Sequence, residues 1–139
     1  MAKRVRITLD GVAAVARLHE DVAPRAVARF WAALPLEDRL RHVRWSGDAG
    51  YFINRQLADP TMPIENPVTF YPPGGLMFRR EHGEFAFSYG QAQARDHTHI
   101  ADWACHLATL EDNAAAFLDK VRATAAEGGK PIRIVREAE

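Results

Sequence analysis

Residues 4–18, RVRITLDGVAAVARL, decide the fold class of this chain. In the first half of this stretch, valine, isoleucine and leucine alternate with arginine and threonine, which is the two-residue period of a half-buried strand. Asp10-Gly11 follows at once, and such a pair accepts the positive φ angles of a tight hairpin turn. We therefore predict that residues 12–18 return antiparallel to the first strand.

The rest of the chain is predicted to contain two helices and several more strands. Pro24 suits the first turn of a helix, and apolar residues then recur every three or four positions until Pro35 ends it. Asn113 is predicted to cap the second helix, which stops at Gly128-Gly129. Extended segments are predicted at 40–53, interrupted at 47–50, and at 76–80, 84–89, 100–110 and 131–136.

The last strand matches the first in length and pattern, so we expect the two terminal strands to pair and close the sheet. Closure removes exposed sheet edges. We therefore predict a mainly β fold, with one domain over residues 1–139 built as a closed β-barrel with two capping α-helices. The loop at 54–67 is long enough to cover part of this barrel.

Composition narrows the possible partners and locations. Eighteen Lys and Arg balance 18 Asp and Glu, so no net field favours nucleic acid or an anionic membrane. The single cysteine, Cys105, cannot form an intrachain disulfide, and its apolar neighbourhood indicates an inert buried thiol. The basic N-terminus lacks the apolar core of a signal peptide, and no apolar run could cross a bilayer. We expect a cytoplasmic protein.

Two segments resemble the cyclophilins. Residues 22–30, VAPRAVARF, resemble the "AP-x-x-V-x-x-F" entry to the first helix of that family, and residues 113–121 with 127–131 resemble its C-terminal helix and closing strand. The small bacterial and archaeal cyclophilin-like proteins are a closer match. Those proteins share, in this order, an aromatic-containing strand, the motif "ENP", a Pro-Gly turn and an apolar strand that ends in "YG" or "FG". The similar stretches here are residues 45–52, Glu65-Asn66-Pro67, Pro73-Gly74-Gly75 and residues 86–90. This resemblance implies a cyclophilin-like barrel, but that group has no settled activity to transfer.

The residues that would carry prolyl isomerisation differ from the cyclophilin pattern. By resemblance, Arg44 would occupy the position of the arginine that polarises the prolyl amide, with its neighbouring aromatic shifted to Trp45. Glu84 stands where the family has a glutamine, and Ala86 replaces the aromatic floor of the proline pocket. A carboxylate cannot donate like an amide, and a methyl group cannot stack on a proline ring. Residual isomerase activity is therefore the third of our three functional hypotheses.

The leading hypothesis is a pocket that binds a small polar molecule bearing an amide or a carboxylate. Arg44 would pair with an oxygen of the ligand, and aromatic residues with a polar edge would line the walls. Glu65 and Glu84 are the candidate catalytic residues, as general bases if burial raises their pKa; whether the protein is an enzyme is left open. The predicted ligand-binding residues are Arg44, Trp45, Asn66, Tyr71 and Tyr89.

Three alternatives remain open at these positions. Glu65 and Asn66 could instead serve a turn, with Glu65 accepting backbone N–H groups nearby. His97 and His99 alternate and could begin a metal site with His106, but we favour unliganded histidines and expect no metal and no cofactor. The second functional hypothesis is a structural module whose barrel surface joins copies of itself into a homo-oligomer.

Overall fold

The computed structural model of the protein describes residues 2–137. Its elements are β1 (Arg4–Leu9), β2 (Val12–Leu18), α1 (Pro24–Ala33), β3 (Leu36–His42), β4 (Gly47–Ile53), one 3-10 turn (Arg55–Leu57), β5 (Pro67–Val68), β6 (Phe70–Tyr71), β7 (Gly75–Arg79), β8 (Glu84–Gln93), β9 (Ala104–Asp112), α2 (Ala114–Glu127) and β10 (Lys130–Arg136).

Eight of these strands form a closed antiparallel barrel in the order β2, β1, β10, β3, β4, β8, β7, β9, and β9 pairs back with β2. The terminal strands β1 and β10 pair antiparallel, with Ile7 opposite Ile134. The predicted barrel with two helices and the predicted pairing of the terminal strands are therefore confirmed. The short strands β5 and β6 pair with β9 and β8 outside the ring.

The barrel interior holds the main hydrophobic core, with both helices packed against it. Phe30 of α1 lies 5.2 Å from Phe85, and Phe117 of α2 lies 5.1 Å from Phe87, measured between ring centroids. These four rings are fully buried. Trp31 of α1 is only half-buried, and the guanidinium of Arg136 lies 4.9 Å from its ring.

Four strand boundaries differ from the sequence prediction, and one of them is the start of β9, which lies at Ala104 and not at residue 100. β3 begins at Leu36, not at residue 40, because its polar first half pairs with β10 on the barrel surface. Residues 47–50 begin β4 and do not interrupt it; Gly47 has φ +104°, and a Cβ there would lie 2.4 Å from the Gln91 carbonyl oxygen. β8 runs on to Gln93 because β6 pairs with its end.

Asn113 immediately precedes α2, as predicted, but its side chain does not cap the helix. Its backbone is left-handed, with φ 56°, and its Nδ2 donates to the Ala13 carbonyl oxygen at 2.9 Å. The residue therefore ties the start of α2 to β2.

A second apolar cluster lies on the outer face of the barrel wall. Met77 and Ala86 belong to it, whereas their neighbours Phe78 and Phe85 point into the main core, as strand alternation requires. Tyr71 covers this outer cluster from β6. No helix within residues 2–137 is long and apolar enough to span a bilayer.

Candidate functional site

A groove of about 760 Å³ opens beside the end of β8. Trp45 and Phe70 stand at its sides with 43% and 69% of their surfaces exposed, which is high for such large apolar side chains. The lining residues are Trp45, Ser46, Gly47, Phe70, Tyr71, Pro73, Gly90, Gln91, Ala92, Gln93 and Arg95.

Strand pairing brings these residues together from three parts of the chain. Ala92 of β8 lies opposite Tyr71 of β6 on one side and opposite Gly47 of β4 on the other. Phe70 in turn lies opposite Gln93. The groove is therefore built around the end of β8, where both neighbouring strands are hydrogen-bonded to it.

Arg95 follows β8 and is held in the groove at several points. Its Nε donates to Gln93 Oε1 at 2.9 Å, and Gln93 Nε2 donates to Thr69 Oγ1 at 3.2 Å. The Arg95 carbonyl oxygen accepts from Arg79 Nη1 at 3.1 Å and from Ser46 Oγ at 3.4 Å. Both the backbone and the side chain of this arginine are therefore anchored by neutral or cationic groups.

The charge of the nearby Arg79 guanidinium, in contrast, is balanced by carboxylates. Arg79 is 3% exposed, and its guanidinium forms ion pairs with Asp102 at 2.9 Å and Glu81 at 3.3 Å. Arg95 forms no ion pair with any carboxylate among residues 2–137. The groove therefore contains a half-buried positive charge without a negative partner in the described part of the chain.

Tyr71 is a buried member of the groove lining. Its side chain is 3% exposed, and its hydroxyl has no hydrogen-bond partner among the described residues. Burial raises the pKa of Tyr71, and the negative charge of Glu84 raises it further. Burial likewise raises the pKa of Glu84, opposed by the positive charge of Arg79. Tyr71 is therefore a neutral phenol at physiological pH.

Trp45 and Tyr71 are the two predicted site residues that line the groove. Arg44 is exposed next to Trp45 and does not line it. Glu65 accepts the backbone N–H groups of Ala26 at 2.8 Å and Arg25 at 3.3 Å, in the first turn of α1. Both oxygens of Glu65 thus bind the start of α1, 39 and 40 residues away in sequence, and not the local turn that our alternative for this residue assigns to it.

Asn66 is tied to the backbone of β9. It has a left-handed backbone with φ 45°; its Nδ2 donates to the His106 carbonyl oxygen at 2.9 Å, and its own carbonyl oxygen accepts from the His106 N–H at 3.1 Å. Asn66 and Glu65 therefore lie together, but apart from the residues that line the groove.

Tyr89 lies near α2 and contacts His42 instead of the groove. His42 Nδ1 lies 2.8 Å from the Val43 carbonyl oxygen, which can only accept, so this nitrogen carries the proton. Nε2 of His42 then accepts from the Tyr89 hydroxyl at 2.7 Å. The Arg122 guanidinium stacks 5.1 Å from the Tyr89 ring.

His106 does not lie with the histidines that the metal-site alternative groups with it. His106 meets His19, not His97 or His99: their ring centroids are 4.7 Å apart, and their Nε2 atoms lie 3.2 and 2.8 Å from the Thr109 hydroxyl oxygen. Burial and the neighbouring His19 lower the pKa of His106 to about 4. Within residues 2–137, no three His, Cys, Asp or Glu side chains are placed to hold a metal ion.

Sequence reasoning missed Phe70, Gln93 and Arg95. A signal for two of them exists, because Gln91, Gln93 and Arg95 continue the two-residue alternation of β8 and so share one face. Nothing in the sequence indicates that Phe70 would pair with Gln93 and share that face.

A family model described as a protein of unknown function (DUF3830) matches residues 5–136. The chain belongs to the DUF3830 family. No curated protein matches it.

Solved structures share the fold of this DUF3830 chain at low identity. The structure of McbB in complex with tryptophan is 18% identical, with a TM-score of 0.75 over 97% of this chain and 45% of McbB. The solution structure of the hypothetical protein AF2241 from Archaeoglobus fulgidus is 16% identical, with a TM-score of 0.68 over 98% of this chain and 95% of that one. The DUF3830 chain thus spans less than half the length of McbB, and both matches show the barrel alone.

Proposed function

We propose that the DUF3830 chain binds a small organic molecule with a carboxylate and a flat apolar body in the groove beside β8. The observation that carries this proposal is the uncompensated guanidinium of Arg95. The side chain of Arg95 is partly buried among the lining residues, and a carboxylate matches the fork of N–H groups that a guanidinium presents.

The walls of the groove support the apolar part of the ligand. Trp45 and Phe70 are exposed on either side of a surface that includes Tyr71 and Ala92, so a flat body can contact rings on both sides. The volume of about 760 Å³ lies within the range of about 300 to 1,000 Å³ for ligand pockets. Tryptophan, the molecule bound in the McbB structure, has both a flat ring system and a carboxylate.

The proposal concerns binding and not a reaction. Neither Glu65 nor Glu84 lines the groove, and Glu65 already accepts two backbone N–H groups. The order of strands and helices supports kinship with the cyclophilin-like proteins. A prolyl substrate, however, would find no open floor at Ala86, which is buried with Met77.

Isothermal titration calorimetry with indole-3-acetate tests the proposal, with indole-3-ethanol as the neutral analogue. We expect saturable binding of the acid, weakened about 10- to 100-fold by Arg95→Ala, because a hydrogen bond to a charged group contributes about 1.5 to 3 kcal/mol. Arg44→Ala is the matched control, since Arg44 is exposed outside the groove, and it should leave the affinity unchanged.

Two results would overturn the proposal. One is no saturable binding of the acid by the wild type at millimolar concentration; the other is equal affinity of the wild type and Arg95→Ala. Sedimentation of the same samples examines the oligomeric alternative, which the exposure of Trp103 and Ile100 favours: a dimer that binds no acid would support that alternative instead.

A further inference from the structure

We propose that Gln93 is a positioning residue that aims the guanidinium of Arg95 at the carboxylate of the ligand. This inference rests on the proposed function of the groove and goes further by assigning how its charged group is oriented. Its basis is the hydrogen-bonded chain from Thr69 through Gln93 to Arg95.

The chain of hydrogen bonds fixes the rotation of the Arg95 fork. A guanidinium has five N–H donors in one plane, and Gln93 Oε1 takes the one on Nε at 2.9 Å. The plane is thereby set, and the edge formed by the two Nη atoms remains for a ligand. Without this contact, a long side chain distributes over several rotamers and must lose that freedom on binding.

The partner of Arg95 Nε is an amide, and this choice preserves the charge. A carboxylate at position 93 would orient the guanidinium equally well but would neutralise it, as Asp102 and Glu81 do for Arg79. An amide orients without adding charge. Gln93 thus orients the Arg95 guanidinium without neutralising its positive charge, which can then pair with the ligand.

Thr69 holds the amide in the required orientation. Arg95 Nε can only donate, so the amide oxygen of Gln93 faces it, and Gln93 Nε2 donates to Thr69 Oγ1 at 3.2 Å. Thr69 immediately precedes β6, whose Phe70 lies opposite Gln93. The aromatic side of the groove and the orientation of its cation are therefore set by the same strand pairing.

The test is a double-mutant cycle on indole-3-acetate binding, measured by calorimetry for the wild type, Gln93→Leu, Arg95→Lys and the double variant. A lysine ammonium is a point charge without a fork, so its interaction with a carboxylate depends little on a residue that fixes its orientation. We expect Gln93→Leu to weaken binding about three- to tenfold when residue 95 is arginine, from the loss of one hydrogen bond. When residue 95 is lysine, the same substitution should change affinity less than twofold.

Two further variants separate positioning from packing. Gln93→Glu keeps an acceptor for Arg95 Nε but adds a negative charge, so it should weaken binding of the acid more than Gln93→Leu does. Thr69→Val removes the anchor of the amide and leaves Gln93 in place, so it should weaken binding by a smaller factor. Gln56→Leu, an exposed glutamine in the 3-10 turn, is the matched control, and melting temperatures verify that each variant folds.

The outcomes distinguish this inference from the proposed function. Acid binding that needs Arg95 but is unchanged by Gln93→Leu overturns the positioning role alone, and so does an equal loss with arginine and with lysine at position 95. Failure of the wild type to bind the acid overturns both. Should Gln93→Leu fail to fold, Thr69→Val and Gln93→Glu decide the matter.

Discussion

Acid should destabilise this protein through His106, whose pKa of about 4 lies well below the usual imidazole value of 6.5. When the pH falls below 6.5, the unfolded chain takes up a proton on this ring while the folded chain does not, so stability is lost. The loss accumulates from pH 6.5 down to about 4 and is complete below that. Above pH 6.5 the ring is neutral in both states and contributes nothing.

The expected magnitude follows from the shift. A difference of 2.5 pKa units between 6.5 and 4 corresponds to at most about 3.4 kcal/mol, at 1.36 kcal/mol per unit. The ring is only partly buried, and solvent screening reduces such energies. We therefore expect His106 to account for about 1 to 2 kcal/mol of the stability lost between pH 7 and 4.5. His19, whose pKa is also lowered by burial, changes stability in the same direction.

Urea unfolding of the wild type and His106→Gln at pH 7 and 4.5 measures this contribution. Carboxylates that titrate in the same range contribute equally to both proteins and cancel in the difference. The variant should lose about 1 to 2 kcal/mol less than the wild type on acidification. His99→Gln, in an exposed segment, is the control and should behave like the wild type. Equal losses in wild type and His106→Gln would refute the reasoning.

Two further predictions concern residues outside the groove. Glu65→Gln should lower the free energy of unfolding by about 1 kcal/mol, because it removes a negative charge that accepts two N–H groups in the first turn of α1; an unchanged urea midpoint would contradict this. Burial raises the pKa of the Cys105 thiol to about 12, so Ellman's reagent at pH 8 should react with it only after unfolding; rapid reaction of the folded protein would contradict this.

The sequence predicts the barrel well because strand pattern and turns are local. The hairpin of β1 and β2 is predicted by the alternation at 4–9 and the Asp10-Gly11 turn. The pairing of β1 with β10 is predicted by the matching pattern at 131–136. The boundaries it places wrongly lie where pairing overrides pattern, as in the polar first half of β3 and the end of β8.

The groove could be predicted only in part. Aromatic residues with a polar edge single out Trp45 and Tyr71, and both line it. The charged group is not visible in the same way, since several arginines form no ion pair among the described residues and the sequence does not show that Arg95 is the one that lines the groove. Arg44 and Arg95 have the same side chain, and only the tertiary structure shows that Arg95 lines the groove and Arg44 does not.

By itself, the sequence determines which face of each strand is apolar and where the chain turns, and therefore the closed barrel with two helices. The tertiary structure alone decides which side chains meet: Thr69, Gln93 and Arg95 in one hydrogen-bonded chain, His19 with His106, and Glu65 with the first turn of α1. The physical reason is that the periodicity of a strand determines on which face of the sheet each side chain lies. Which side chain it meets there depends on strand register and on loops that return from distant parts of the chain.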